Sequence, residues 1–123
     1  MSTTAAEPLD PLGRFSATTR EWFTNTFAAP TTAQADAWAA IADGNNTLVV
    51  APTGSGKTLA AFLWALDSLA ASADRPAQTR VLYVSPLKAL AVDVERNLRT
   101  PLAGMTRVAE RRSLPAPQIT VGV

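Results

Sequence analysis

The 123-residue chain contains no cysteine and no histidine. Without cysteine there is no disulfide framework and no thiolate metal site, which fits a reducing cytoplasm. Without histidine as well, a zinc site and an imidazole general base are excluded. No apolar run is long enough to cross a bilayer, so no membrane-spanning segment is expected. Met1-Ser-Thr-Thr-Ala-Ala lacks the basic and then apolar pattern of a secretion signal. The expectation is a cytoplasmic chain with no membrane partner. Composition leaves its oligomeric state open.

Net charge is only +1, but its distribution is uneven: residues 1–79 hold four Lys/Arg against seven Asp/Glu, and residues 80–123 hold seven against three. A basic C-terminal part is a weak pointer to a polyanion and equally describes a solvated basic face.

The chain is rich in one thing, a turn that suits phosphate. Ala51-Pro-Thr-Gly-Ser-Gly-Lys-Thr58 follows the apolar, β-branched run Thr47–Val50 and opens a helical pattern. Successive N–H groups of such a turn converge on an anion, and the start of the next helix adds partial positive charge. Gly54 and Gly56 give the turn its backbone freedom. Lys57 would reach the β- and γ-phosphates, and the Thr58 hydroxyl would ligate Mg²⁺. Ala51 stands where the general pattern has its first glycine, a place that needs only a small side chain.

Around this turn the pattern reads as alternating strands and helices. Residues 1–13 read as a flexible arm. Helices are expected at about 16–27, capped by Ser16, and at 31–44, closed by Gly44. A third follows Lys57 and presents Leu59, Phe62, Leu63, Leu66 and Leu69 to a core. Two more are expected at about 87–98 and 102–113, with Pro101 in the first turn of the second. Strands are expected at 47–50, 80–84 and 119–123. They are continuously apolar, which predicts an α/β fold with a parallel sheet covered by helices on both faces.

Two further segments carry functional readings. Thr31-x-x-Gln34 is a capping box, and a Gln carboxamide also suits the N6 and N7 edge of adenine. One Gln can scarcely serve both ends at once. Ser85-Pro86-Leu87-Lys88 follows the second expected strand, where carboxyl ends of parallel strands face a ligand crevice, and suits a sugar-phosphate backbone as well as an ordinary strand-to-helix turn. Trp22, Trp38 and Trp64 are read as packing residues, and Phe15 as a candidate to stack on adenine.

In this order and at these intervals, Pro30-Thr31-x-x-Gln34, Ala51–Thr58 and Ser85–Leu90 resemble the Q motif, motif I and motif Ia of superfamily 2 helicases. Thr47–Leu66 and Val81–Asn97 resemble more narrowly the Lhr-like (large helicase-related) DNA helicases, with similarity from about Leu12 to Val123. The resemblance implies a partial RecA-like P-loop NTPase domain over residues 14–123. It implies an ATP and Mg²⁺ site made by Thr31, Gln34, Pro52, Thr53, Gly54, Ser55, Gly56, Lys57 and Thr58, with Gln34 recognising adenine. It implies nucleic-acid contact by Ser85, Pro86, Leu87 and Lys88, the partner being single-stranded DNA or a duplex with a 3′ overhang, and ATP-driven 3′-to-5′ translocation. A P-loop small-molecule kinase or other phosphoryl transferase would share the phosphate turn alone. A truncated, non-enzymatic nucleotide binder is the third alternative.

Hydrolysis by such a motor needs an acidic Asp-Glu element after a strand to hold Mg²⁺ and orient water. None is present, since Asp93 and Glu95 fall within a helical pattern and Glu110 follows no strand. The second motor domain is missing too, so the chain reads as an amino-terminal fragment of a longer helicase. Purified alone, it is expected to show no ATP turnover; DNA-stimulated hydrolysis that Lys57→Ala abolishes would contradict this.

Overall fold

The computed structural model describes residues 10–51, 56–71, 78–84 and 88–122, and four helices lie within them. Helix α1 (Ala17–Thr26) begins where Ser16 accepts a hydrogen bond from the Thr19 N–H, as the sequence predicts. It stops at Phe27, before Ala28-Ala29-Pro30. Helix α2 (Thr32–Ala42) starts with the complete Thr31–Gln34 capping box and ends at Gly44, whose φ of +84° suits glycine. There the Gly44 N–H bonds to the Ile41 carbonyl and the Asn45 N–H to the Ala40 carbonyl, closing a Schellman turn. Helix α3 (Lys57–Ala70) buries Ala60, Phe62, Leu63 and Leu66.

Helix α4 (Lys88–Arg111) corrects the expectation of two helices at 87–98 and 102–113: it is continuous, and Pro101 lies inside it. Proline removes one helical hydrogen bond and ordinarily breaks the run. Here Leu98, Met105, Val108 and Ala109 are buried on both sides of it, so a single straight-through face recovers burial that two separate helices would lose. A second Schellman turn ends α4, this time with Ser113 in the left-handed position at φ +56°.

Packing pairs α2 with α3 and α1 with α4, and α3 touches α4. The main core joins all four helices through Trp22, Phe23, Trp38, Leu63, Met105 and Val108, with Leu12 and Phe15 inserted from the turn before α1. Leu12, placed by the sequence in a loose arm, is therefore a core residue. Phe15 meets Trp38 and Trp64 edge-on, with ring centres 5.0 and 5.4 Å apart. It is 4% exposed, so its expected role of stacking on adenine is corrected to core packing. Beneath the aromatic cluster, the Asp67 carboxylate of α3 accepts from the Thr19 hydroxyl (2.6 Å), the Ser16 hydroxyl (2.7 Å) and the Ser16 N–H. That buried knot fixes the N-terminus of α1 to the last turn of α3, with the carboxylate at the positive end of α1's dipole.

The three expected strands are the larger departure. Among the described residues, 47–50, 80–84 and 119–122 form no β-ladder. Leu48 and Val50 are 88% and 83% exposed, and Leu82 and Val84 are 81% and 79% exposed. Tyr83 points the other way and packs on Phe62, with ring centres 5.4 Å apart. One side of the 81–84 segment thus meets the helices while the other is bare. A strand is stabilised by its pairing partners, and β-propensity alone does not supply them.

Gly104 on α4 lies directly under the indole of Trp22, where any added Cβ would overlap Nε1 and Cδ1. Gly104→Ala should therefore destabilise the helical core by about 1–3 kcal/mol through overpacking, read as a lower urea midpoint by circular dichroism. An unchanged midpoint would mean that α1 is not seated on α4 as described.

Candidate functional site

The start of α3 is prepared for an anion by what it lacks. Its N-cap is Gly56, no side chain caps it, and no acidic residue lies in its first turn. The first N–H groups of a helix have no intrahelical acceptor, and the dipole leaves positive charge at that end. Lys57 is the first helical residue and is exposed, and Thr58 is half-buried beside it. Gly56 adopts φ +73° and ψ +33°, the left-handed conformation that lets the chain turn sharply into the helix.

Helix α2 holds this corner in two places. The Gln34 Nε2 donates to the Gly56 carbonyl at 3.2 Å, and the Trp38 Nε1 donates to the Leu59 carbonyl at 2.9 Å. The Gly56 carbonyl also accepts the Ala60 N–H at 3.0 Å, so it serves both the helix and the clamp. A Cβ at residue 56 would run into Gln34 Nε2. Glycine is thus required there for its conformation and for the close approach of Gln34.

The Gln34 carboxamide is engaged at both ends by the protein itself. Its Oε1 accepts from the Thr31 N–H at 3.0 Å, completing the capping box, while Nε2 takes Gly56. A carboxamide has two acceptor lone pairs and two N–H donors. One of each remains, the complement of an adenine's N6 donor and N7 acceptor. The sequence pattern missed Trp38: its helical spacing indicated a core residue, which it is, but nothing local announced that its N–H holds the first turn of α3.

Pro52, Thr53, Gly54 and Ser55 lie outside the described residues, as do Ser85, Pro86 and Leu87. Lys88 is the first residue of α4. Among the described residues there is no group of three or more His, Cys, Asp or Glu able to hold a metal ion. Uncapped helix N–H groups, one exposed ammonium and one hydroxyl fit a polyphosphate. They fit a metal only as a passenger of that phosphate, with Thr58 as a single protein ligand.

Comparison with known proteins identifies the family. The sequence model of the DEAD/DEAH box helicase family matches residues 31–119. The chain is 81% identical over 115 residues to the Lhr helicase/probable uracil glycosylase of Mycolicibacterium smegmatis, covering 93% of this chain and 8% of that protein. It is 45% identical over 116 residues to the Lhr helicase/uracil glycosylase of Escherichia coli, covering 89% of this chain and again 8% of the relative. A solved structure of the Mycobacterium smegmatis helicase Lhr bound to ssDNA and AMP-PNP superposes with a TM-score of 0.85 at 80% identity, over 92% of this chain and 14% of that one. The chain thus spans less than a tenth of the length of these two relatives, and with the family's own pattern covering residues 31–119 it belongs to the DEAD/DEAH box helicases, among their Lhr-like members.

Proposed function

We propose that this chain is the nucleotide-binding part of an ATP-dependent DNA helicase motor. The observation that carries the reading is the uncapped start of α3, with Gly56 held in its left-handed turn by Gln34. ATP with Mg²⁺ supplies the phosphoanhydride bond whose hydrolysis powers such a motor. The chain's own residues bind and orient it. Residues 52–56 and the first N–H groups of α3 receive the phosphates, Lys57 neutralises their charge, Thr58 offers its hydroxyl to the metal, and Gln34 presents its remaining donor and acceptor to the adenine edge. Thr31 keeps that carboxamide in register through the capping box.

Residues 85–88 are proposed to grip the backbone of single-stranded DNA, with 3′-to-5′ movement in the complete protein. Support comes from the AMP-PNP and ssDNA present in the similar Lhr structure, and from the basic balance of residues 80–123. We also propose that 47–50, 80–84 and 119–123 are strands of a RecA-like parallel sheet with helices on both faces. The bare apolar side chains of Leu48, Val50, Leu82 and Val84 are what such strands present to neighbours. A cytoplasmic location fits the absence of cysteine. Among the described residues no helix is long and apolar enough to cross a membrane.

A fluorescent ATP analogue should bind the chain, and unlabelled ATP should displace it better than GTP. Lys57→Ala should weaken binding about tenfold to a hundredfold, the range for losing charge-assisted hydrogen bonds of about 1.5–3 kcal/mol. Gln34→Ala should lower ATP affinity and erase the preference over GTP. Equal binding of the two nucleotides by the unmodified chain would refute adenine recognition by Gln34. Binding of a single-stranded oligonucleotide should fall steeply with added salt.

A further inference from the structure

Trp38 is 2% exposed and carries one polar group into the aromatic core, its indole N–H. Phe15 and Phe23 meet the ring edge-on, with centres 5.0 and 5.7 Å away, and so fix the direction in which that N–H points. It points at the Leu59 carbonyl, 2.9 Å away on the first turn of α3. A buried indole N–H needs an acceptor, but burial does not dictate which one. The one it has leads to the start of α3.

The Leu59 carbonyl and the Ala60 N–H are opposite ends of one peptide group. The Ala60 N–H donates to the Gly56 carbonyl at 3.0 Å, and that carbonyl shares its peptide group with the Lys57 N–H. As the first helical residue, Lys57 has an N–H with no acceptor inside the helix, on the side where a helix start receives an anion. Donors and carbonyls thus line up head to tail: Trp38 to Leu59, Ala60 to Gly56, and Lys57 outward. Each bond accepted at a carbonyl polarises its peptide group and strengthens the N–H at the other end. Ala60 is completely buried, which keeps the middle link of the row out of water. Gln34 also donates to the Gly56 carbonyl, but it joins the row only at the last link.

We propose that Trp38 is a positioning residue for the phosphates of the nucleotide. Acting through Leu59, Ala60 and Gly56, its N–H orients the first turn of α3 and strengthens the Lys57 N–H as a phosphate donor. The inference rests on the nucleotide reading of the start of α3. It assigns Trp38 to the phosphate end and leaves the base to Gln34.

The test compares ATP and inorganic tripolyphosphate, both with Mg²⁺, and adenosine on the ¹⁵N-labelled chain and on Trp38→Phe, which keeps an aromatic ring and removes the donor. Trp38→Phe should weaken ATP and tripolyphosphate by the same factor, about twofold to tenfold, the share of one neutral hydrogen bond, and leave adenosine unchanged. Val108→Ala, in the same core but on α4, should lower the urea midpoint and bind all three like the parent. A second measurement needs no variant to fold: in the unmodified chain, Mg-ATP should move the Trp38 indole N–H resonance with the same concentration dependence as the Lys57 amide, and leave that of Trp22 in place. Unchanged tripolyphosphate affinity in folded Trp38→Phe, an equal loss for adenosine, the same loss in Val108→Ala, or a Trp38 resonance unmoved while the Lys57 amide shifts would each overturn the proposal with nucleotide binding itself intact. No ATP binding by the unmodified chain would instead remove the nucleotide reading, and this inference with it.

Discussion

One carboxamide ties the architecture to its candidate function. Gln34 closes the capping box that starts α2 and, with its other end, holds the carbonyl of Gly56 at the entrance to α3. Trp38, one turn further along α2, repeats the grip on Leu59. An anion site made of helix N–H groups is only as good as the position of the helix that carries them. Here side chains of a neighbouring helix hold that position. The same helix pair is also the most extensively packed in the described structure.

The remaining packing serves that corner from behind. Asp67, on the last turns of α3, is bound by Ser16 and Thr19 at the start of α1, so α3 is anchored at both ends by side chains of other helices. Phe15 and Trp38 fill the space between these anchors with edge-on ring contacts. The surface ion pair Arg14–Asp43 adds little, since both side chains are more than half exposed. Having glycine rather than Ser or Asp at the front of α3 costs the helix only about a few tenths of a kcal/mol. A bound phosphate chain would recover it, which makes ligand binding and local order at this corner linked quantities.

Much of this was legible in the sequence wherever the cause is local. Ser16, the Thr31–Gln34 box and Gly44 mark helix ends by interactions spanning a few residues, and those ends lie where the pattern placed them. Gly56-Lys57-Thr58 announced a helix start through residue order alone. The failures share the opposite trait. The Gln34–Gly56 bond joins residues 22 apart and has no local signature. Pro101 reads as a break because a sequence rule counts the lost hydrogen bond and not the apolar face buried on either side of it. Phe15 looked available for a ligand because composition cannot distinguish an aromatic that meets a base from one that meets Trp38. The apolar segments 47–50 and 80–84 form no ladder among the described residues, and the sheet proposed for them needs pairing partners that propensity does not encode.

The central claim is that α2 holds the first turn of α3 ready to receive phosphates. Titrating Mg-ATP into the ¹⁵N-labelled chain and following the backbone amides of Gly56, Lys57 and Thr58 tests it most directly. The account predicts large, saturating shifts at those three amides, with smaller ones at the Gln34 side-chain amide. Shifts confined to other helices, or none at residues 56–58 while nucleotide is bound, would contradict it.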